Sequence, residues 1–195
     1  MSKAASTRHH ILEKAFELIY LKGYQATSID EIIAQTAVTK GAFFYHFKNK
    51  EEMGLAMINE VMYPGMTPYM IDVLGKTDDV LNDIYTMLKA LLLSNPFFKV
   101  EYGCPAVNLV DEMAPINKPF RKALSRLMVE WQRAIEEVLT KAQSAGRISK
   151  NNSPKQVALF ITSGYSGARN MGKVFGKGAY EEYLQQFKNY LSSLK

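Results

Sequence analysis

The chain has 195 residues, 47% hydrophobic and 22% charged, with a formal net charge of +5 and a pI near 9.1. That is the composition of a soluble globular protein with a mild leaning toward polyanionic partners, and no apolar run approaches the roughly 20 residues a membrane span needs. A single cysteine excludes an intramolecular disulfide framework, and the opening MSKAASTRHH lacks the apolar core of a secretory leader, so a reducing cytoplasm is the expected home.

Leu12, Ala15, Phe16, Ile19 and Tyr20 recur at helical spacing and predict an amphipathic helix over roughly Ser6 to Leu21, stopped by Gly23. Ser28 with Glu31 is a capping box that opens a second helix to about Gln35, with Ile29, Ile32 and Ile33 inward. Thr39 can cap a third helix to about His46, bearing Phe43 and Phe44 and followed by Phe47. Asn49 with Glu52 opens a fourth, in which Leu55, Ile58 and Met62 turn inward before Pro64, Gly65 and Pro68 break the chain. Thr77 can cap a helix carrying Leu81, Ile84, Tyr85, Leu88, Leu91 and Leu92, which Asn95-Pro96 ends. Gly103-Cys104-Pro105 opens a shorter helix. Pro115 and Pro119 bracket the entry to a long one with Phe120, Leu124, Leu127, Trp131, Ile135 and Val138 inward, ended by Gly146. Ser153-Pro154-Lys155-Gln156 combines a cap, a first-turn proline and a capping-box glutamine, and a last helix spans about Tyr180 to Leu194. No segment alternates as a strand does, so the fold is read as all-α with about nine helices.

A helix-turn-helix lays its second helix in the DNA major groove and braces it with the first. The second predicted helix is the brace here and the third is the probe. Thr39, Lys40, Tyr45 and His46 supply donors, and Gly41 and Ala42 are small enough to bring the backbone close to a duplex. Lys48 and Lys50 flank the probe, Lys50 in a helix first turn whose free N–H groups also attract phosphate, and Thr27 is placed for a further phosphate contact. An ordinary helix pair has the same spacing, with the phenylalanines as core and the lysines solvated. In either reading Phe47 and one of Phe43 and Phe44 belong to the core.

Residues 8–56 closely resemble the N-terminal domain of the TetR family of bacterial transcriptional repressors, through AFELIYLKGYQATSIDEIIAQTAVTKGAFFYHFKNKEEM. The matching positions are Gly23-Tyr24, Thr27, Ile29, Ile33-Ala34, Val38 to Gly41, Tyr45 to Phe47 and Lys50-Glu51. The resemblance implies that Thr27, Tyr45, His46 and Lys50 meet phosphates, while Thr39, Lys40, Ala42 and Phe43 face or approach bases. Three positions depart from the family pattern. Ala37 stands where a turn glycine is usual, so the turn must avoid a left-handed residue or strain slightly. Ala42 replaces a usual threonine and Phe44 a common tyrosine, each removing a hydroxyl that bears on operator sequence.

By the same resemblance, residues 1–50 form a three-helix DNA-binding domain and residues 51–195 a larger helical domain that binds a small effector. The chain is then expected to pair through its last two helices, about 153–175 and 180–194, as a homodimer on palindromic double-stranded DNA. Gly164, Gly167 and Gly172 lie inside an otherwise good helix, where each costs up to about 1 kcal/mol relative to alanine. Close approach to a second subunit would justify them, and so would a crossing of helices within one subunit.

The effector site is drawn from residues that serve a core equally well. The methionines at 53, 57, 62, 66 and 70 pack adaptably, and the aromatic residues of the larger domain are plentiful. The candidate set is Met66, Tyr69, Tyr85, Phe98, Tyr102, Cys104, Asn108, Trp131, Tyr165 and Arg169. Cys104, at a predicted helix start, is either an inert core thiol or a thiolate sensor; its Gly-Cys-Pro setting is similar to that of family members that respond to electrophiles and aldehydes.

No enzyme is expected. His9, His10 and His46 all lie in the DNA-binding third, and His9-His10 lacks metal-ligand spacing. There is no phosphate-cradling glycine loop and no nucleophile elbow, and neither a cofactor nor a metal is expected. Asp111-Glu112 and Glu136-Glu137 are read as solvated acidic pairs.

Overall fold

The computed structural model describes residues 3–195, and among them all regular structure is helical, in nine helices. Helix α1 is Lys3–Lys22, α2 Ile29–Thr36 and α3 Lys40–His46. Helix α4 runs as Lys50–Met57, through a π-helical stretch Ile58–Met62, into Tyr63–Met70. Helix α5 is Val80–Lys89 with a π-helical end Ala90–Ser94. Then come α6 (Pro105–Met113), α7 (Lys118–Ser144), α8 (Pro154–Phe175) and α9 (Lys177–Ser192).

Most helix ends follow local chemistry. Gly23, at φ +90°, closes α1 by donating its N–H to the Ile19 carbonyl at 2.8 Å. Ser28 and Glu31 form the full capping box, with the Ser28 N–H donating to the Glu31 carboxylate at 2.8 Å and the Glu31 N–H to the Ser28 hydroxyl at 3.1 Å. The Thr39 hydroxyl accepts from the Ala42 N–H at 3.1 Å, and the Asn49 side chain accepts from the Glu52 N–H at 2.8 Å. Ser153 caps α8 and Pro154 opens it.

Three expectations are corrected. The break at Pro64 does not occur, because the preceding π-helical stretch takes Tyr63 N–H to the Ile58 carbonyl, five residues back. Proline 64 therefore follows a register that has already left the α ladder, and the helix continues to Met70 with Pro68 inside it. The cap of α5 is Asp79 rather than Thr77, whose hydroxyl is spent on the Asp83 carboxylate at 2.8 Å. The last helix starts at Lys177, three residues earlier than the apolar stripe suggests, behind Gly176 at φ +76°.

The chain forms two compact units that do not divide between residues 50 and 51. The first takes the chain up to Met66 together with Pro105–Ser125; the second takes Thr67–Cys104 with Arg126–Lys195. Packing explains why the first unit needs both segments. Met53, Met57 and Phe120 are fully buried in it, and the Tyr24 and Phe120 rings lie 4.7 Å apart. A Cβ at Gly54 would stand 2.7 Å from both of those rings, so glycine is the residue that fits between them. Ile11, Leu12, Ala15, Ile32, Phe43 and Phe47 complete its core.

The second unit has its own core in Ile84, Leu88, Leu91, Trp131, Ile135, Ile161, Tyr165, Tyr180 and Phe187. Two of the three glycines of α8 are used inside it. Space at Gly172 is taken by the Tyr180 ring, and a Cβ at Gly164 would lie 2.5 Å from the Tyr183 hydroxyl. Of these three, Gly167 alone has nothing within 4 Å of such an atom. No helix among the described residues is long and apolar enough to cross a membrane.

Candidate functional site

In the first unit, three local devices set the pose of α3. The link before α2 is tied down first. Glu112 on α6 accepts from the Tyr24 N–H at 2.8 Å and the Gln25 N–H at 2.7 Å. This corrects its reading as a solvated acid: the carboxylate serves as a cap for backbone N–H groups 87 and 88 residues earlier. Its neighbour in sequence gave no sign of the role, since the two partners are brought together only by the fold.

Next, Lys50 is drawn against the same link. Its ammonium donates to the Gln25 carbonyl at 3.3 Å and lies 4.4 Å from the centre of the Tyr24 ring. Burial pushes its pKa down, against the opposing pull of Glu112 and Glu31. Tyr24 is pushed up to about 12, by burial first and then by Glu51 and Glu112.

The third device is the turn between α2 and α3, which is taken by Ala37 at φ 53°, ψ 20°. Of the two outcomes expected for a turn without glycine, the strained left-handed one is realised. A residue with a Cβ in that region costs roughly 1–2 kcal/mol.

The predicted DNA contacts then separate by exposure. Thr39, Lys40, Gly41 and Tyr45 are exposed, Tyr45 at 78%, and Ala42 and His46 are half-buried on the same short helix. A Cβ at Gly41 would meet only the Thr39 hydroxyl, at 3.9 Å, so this surface is open. Lys40 pairs with Asp30 at 3.0 Å, with both side chains largely exposed.

Two expected contacts are corrected. Thr27 is fully buried, and its hydroxyl donates to the Gly23 carbonyl at 2.7 Å, so it braces the link and does not face a phosphate. Phe43 is fully buried as well, edge-on to Phe44 and tilted against Phe47, and so cannot approach bases. Of the adjacent phenylalanines the outward one is Phe44, 45% exposed. Helical phase decides this: Phe43 and Phe47 are four apart and share the inner face.

In the second unit the candidate effector residues come together only in part. Arg169 is fully buried. Its Nε donates to the Tyr165 hydroxyl at 3.1 Å, one terminal nitrogen to the Tyr180 hydroxyl at 3.4 Å, and the other to the Leu91 carbonyl. The guanidinium also lies 5.0 Å from the Phe98 ring centre, 5.4 Å from Tyr165 and 5.3 Å from Tyr180. Trp131 meets Tyr165 edge-on at 5.2 Å and donates its indole N–H to the Met87 sulfur at 3.4 Å. The pKa of Tyr165 is held well above the usual phenol value, by burial first and then by the nearby Cys104.

Phe98, Cys104, Trp131, Tyr165 and Arg169 thus form one cluster. Tyr69 is partly exposed and pairs with Phe97 at 6.4 Å, Tyr85 has the Lys188 ammonium 5.9 Å from its ring, and Tyr102 has that of Lys99 at 5.8 Å. Met66 and Asn108 belong to the first unit, where Asn108 lines a narrow cleft with Phe16, Ile19 and Tyr20. Tyr180 and the Leu91 carbonyl were not foreseen. Gly172, whose missing side chain leaves room for the Tyr180 ring, is the one sequence sign that a bulky partner follows on the next helix. Cys104 is 1% exposed, so of the two readings the buried core thiol describes this conformation, in which the thiol is closed to solvent. No group of three or more His, Cys, Asp or Glu residues that could hold a metal occurs among the described residues.

Comparisons with known proteins agree with this division of labour. Residues 11–57 match the model of bacterial regulatory proteins of the tetR family, and residues 84–187 match that of the tetracyclin repressor-like C-terminal domain. The chain is 34% identical over 154 residues to an uncharacterized HTH-type transcriptional regulator in the lacX 3′ region of Lactococcus lactis subsp. lactis, covering 79% of this chain and 78% of that one. It is 30% identical over 172 residues to the transcriptional regulator AcuR of Cereibacter sphaeroides, covering 84% and 75%. Its fold is shared with a TetR transcriptional regulator from Chloroflexus aurantiacus at a TM-score of 0.87 and 22% identity, over 98% and 97% of the two chains. Regulators of this kind bind DNA and small-molecule effectors and act as dimers. With a capped, outward-facing probe helix in one unit and family models matching both ends, the chain belongs to the TetR family of helix-turn-helix DNA-binding transcriptional regulators.

Proposed function

We propose that a homodimer of this chain holds a palindromic operator with two copies of α3, represses the gene beside it, and lets go when a small molecule occupies the core of the second unit. The observation that carries the DNA half is the split of α3 into an inner face of buried Phe43, continued by Phe47, and an outer face of Thr39, Lys40, Gly41, Ala42, Phe44, Tyr45 and His46. Tyr45 and His46 sit at the end of the probe and serve phosphates; Thr39, Lys40 and Ala42 open it and serve base edges. The Lys40–Asp30 pair is no obstacle, since exposed pairs are worth at most about 1 kcal/mol.

Dimerisation is supported by α8. Phe160, Met171 and Val174 are exposed together with Gly167, at the three-and-four spacing of a helix-packing seam, and Leu159 and Phe175 extend the apolar surface. The seam rests on Gly167 and these large side chains, because Gly164 and Gly172 are occupied within the chain. Two such faces pack as a four-helix bundle with α9.

Release needs only a ligand that binds the DNA-incompetent arrangement better than the competent one. Helix α4 offers the covalent route, since one helical run carries the chain from Lys50 to Met70 and so from the first unit into the second. The test is fluorescence anisotropy on duplexes from the region upstream of the protein's own gene. Tyr45→Ala is expected to weaken binding about tenfold. For Lys40, which is assigned to base edges, the matching readout of Lys40→Ala is a relaxed sequence preference, and unchanged affinity and preference in both variants would remove α3 from the interface.

A further inference from the structure

Arg169 is a buried cation with no carboxylate paired to it among the described residues; the acids acting on it are the Tyr165 phenol and the Cys104 thiol. It is fully buried, and none of the ion pairs among the described residues includes it. Its three hydrogen bonds go to two phenol hydroxyls and a backbone carbonyl, all neutral. A guanidinium has five N–H groups. Three bonds use one each, so each terminal nitrogen has a second N–H beyond the bond it makes to the described residues. Taking a cation out of water without an anion is costly, and the site holds a fork-shaped donor matched to planar acids.

The surroundings also indicate where an anion would come in. Tyr165 stands on α8, Tyr180 on α9 and Leu91 in the helical end of α5, so all three are held by helices. Phe98 and Cys104 are the members of the cluster on non-helical residues; Cys104 is buried, whereas the Phe98 ring, 5.0 Å from the guanidinium, is half-buried. We propose that Arg169 anchors an effector bearing a carboxylate: the acid enters where the Phe98 ring lies and accepts from those second N–H groups. This rests on the reading of the second unit as the effector core and adds the chemical class of the ligand.

The experiment uses the full-length protein and four small acids, formate, acetate, butyrate and benzoate, each beside its uncharged amide. Trp131 emission and thermal shift report occupancy, because Trp131 touches the Tyr165 that Arg169 holds. At least one acid is expected to bind tenfold or more tightly than its amide, and Arg169→Met to abolish that preference. The proposal is overturned if no acid outperforms its amide, or if Arg169→Met binds the acids as the parent does. Should Arg169→Met not fold, Phe98→Ala decides: uncovering the guanidinium is expected to tighten the acid several-fold, and an unchanged or weaker affinity sinks the idea. Failure of the underlying reading looks different. In that case the protein ignores its upstream DNA at low salt whatever the acids do, whereas DNA released only by uncharged compounds defeats the carboxylate and leaves the regulator intact.

Discussion

The most telling charged side chain of each unit is compensated in a different way. In the first, charged side chains are matched: Glu112 receives two backbone N–H groups, Glu31 closes a capping box and pairs with Lys22, and Arg8 reaches Glu60. In the second, Arg169 sits deeper than any of these and meets only neutral oxygens. Matched groups build a rigid platform on which α3 is presented. An unmatched one is where the proposed ligand would supply the missing charge. On that proposal, framework and site differ not in polarity but in whether a compensating charge is present.

The contrast is most exposed to failure at Glu112. Glu112→Ala removes the acceptor of two N–H groups and is expected to cost about 2–3 kcal/mol in urea unfolding, with Glu112→Gln losing less. DNA affinity should fall alongside, because the link carries the pose of α2. A stability change near zero would mean that the link is held by other means. Ala37→Gly sharpens the comparison at the turn. Relieving the left-handed alanine is expected to add about 0.5–1 kcal/mol, read as a rise of a few degrees in Tm. No gain would mean that the turn is not strained.

The smallest effect is a pH dependence at Glu31. Lys22 first, then the Ser28 backbone and hydroxyl, hold this exposed carboxyl down at about 2 against an ordinary 4.5. A carboxyl with a depressed folded value stabilises above its unfolded pKa and loses that contribution as pH falls. The stability difference between the parent and Glu31→Gln is therefore expected to be constant above pH 4.5 and to shrink toward pH 2. A difference that does not change over this window would detach the capping box from the carboxylate's charge.

What could be read in the sequence follows the range of the interactions. Ser28, Thr39, Asn49 and Ser153 act on backbone groups three residues away, and all four caps form where their spacing predicts. Gly23 and Gly146 end helices by their own backbone freedom. The misreadings come from partners far along the chain. Nothing near Glu112 points to Tyr24, and nothing near Arg169 points to Leu91. Thr27 looked outward because a short polar residue in a link usually is, but the neighbouring turn claims its hydroxyl. Phe43 and Phe44 differ by one helical step, and three phenylalanines within five positions left their phase undecided. The proline at 64 was read by its own rule, while the wider turn before it absorbed the consequence.

The tie between Glu112 and the Tyr24 link carries a consequence for biosynthesis. A nascent chain that has just released its probe helix from the ribosome still lacks Glu112 and Phe120, the residues that clamp and fill the platform beneath it. At roughly 5–20 residues per second, the interval between residues 50 and 120 lasts about 4–14 s. The N-terminal helices wait through that interval half-built, and a translational pause there lengthens the exposure of their apolar faces.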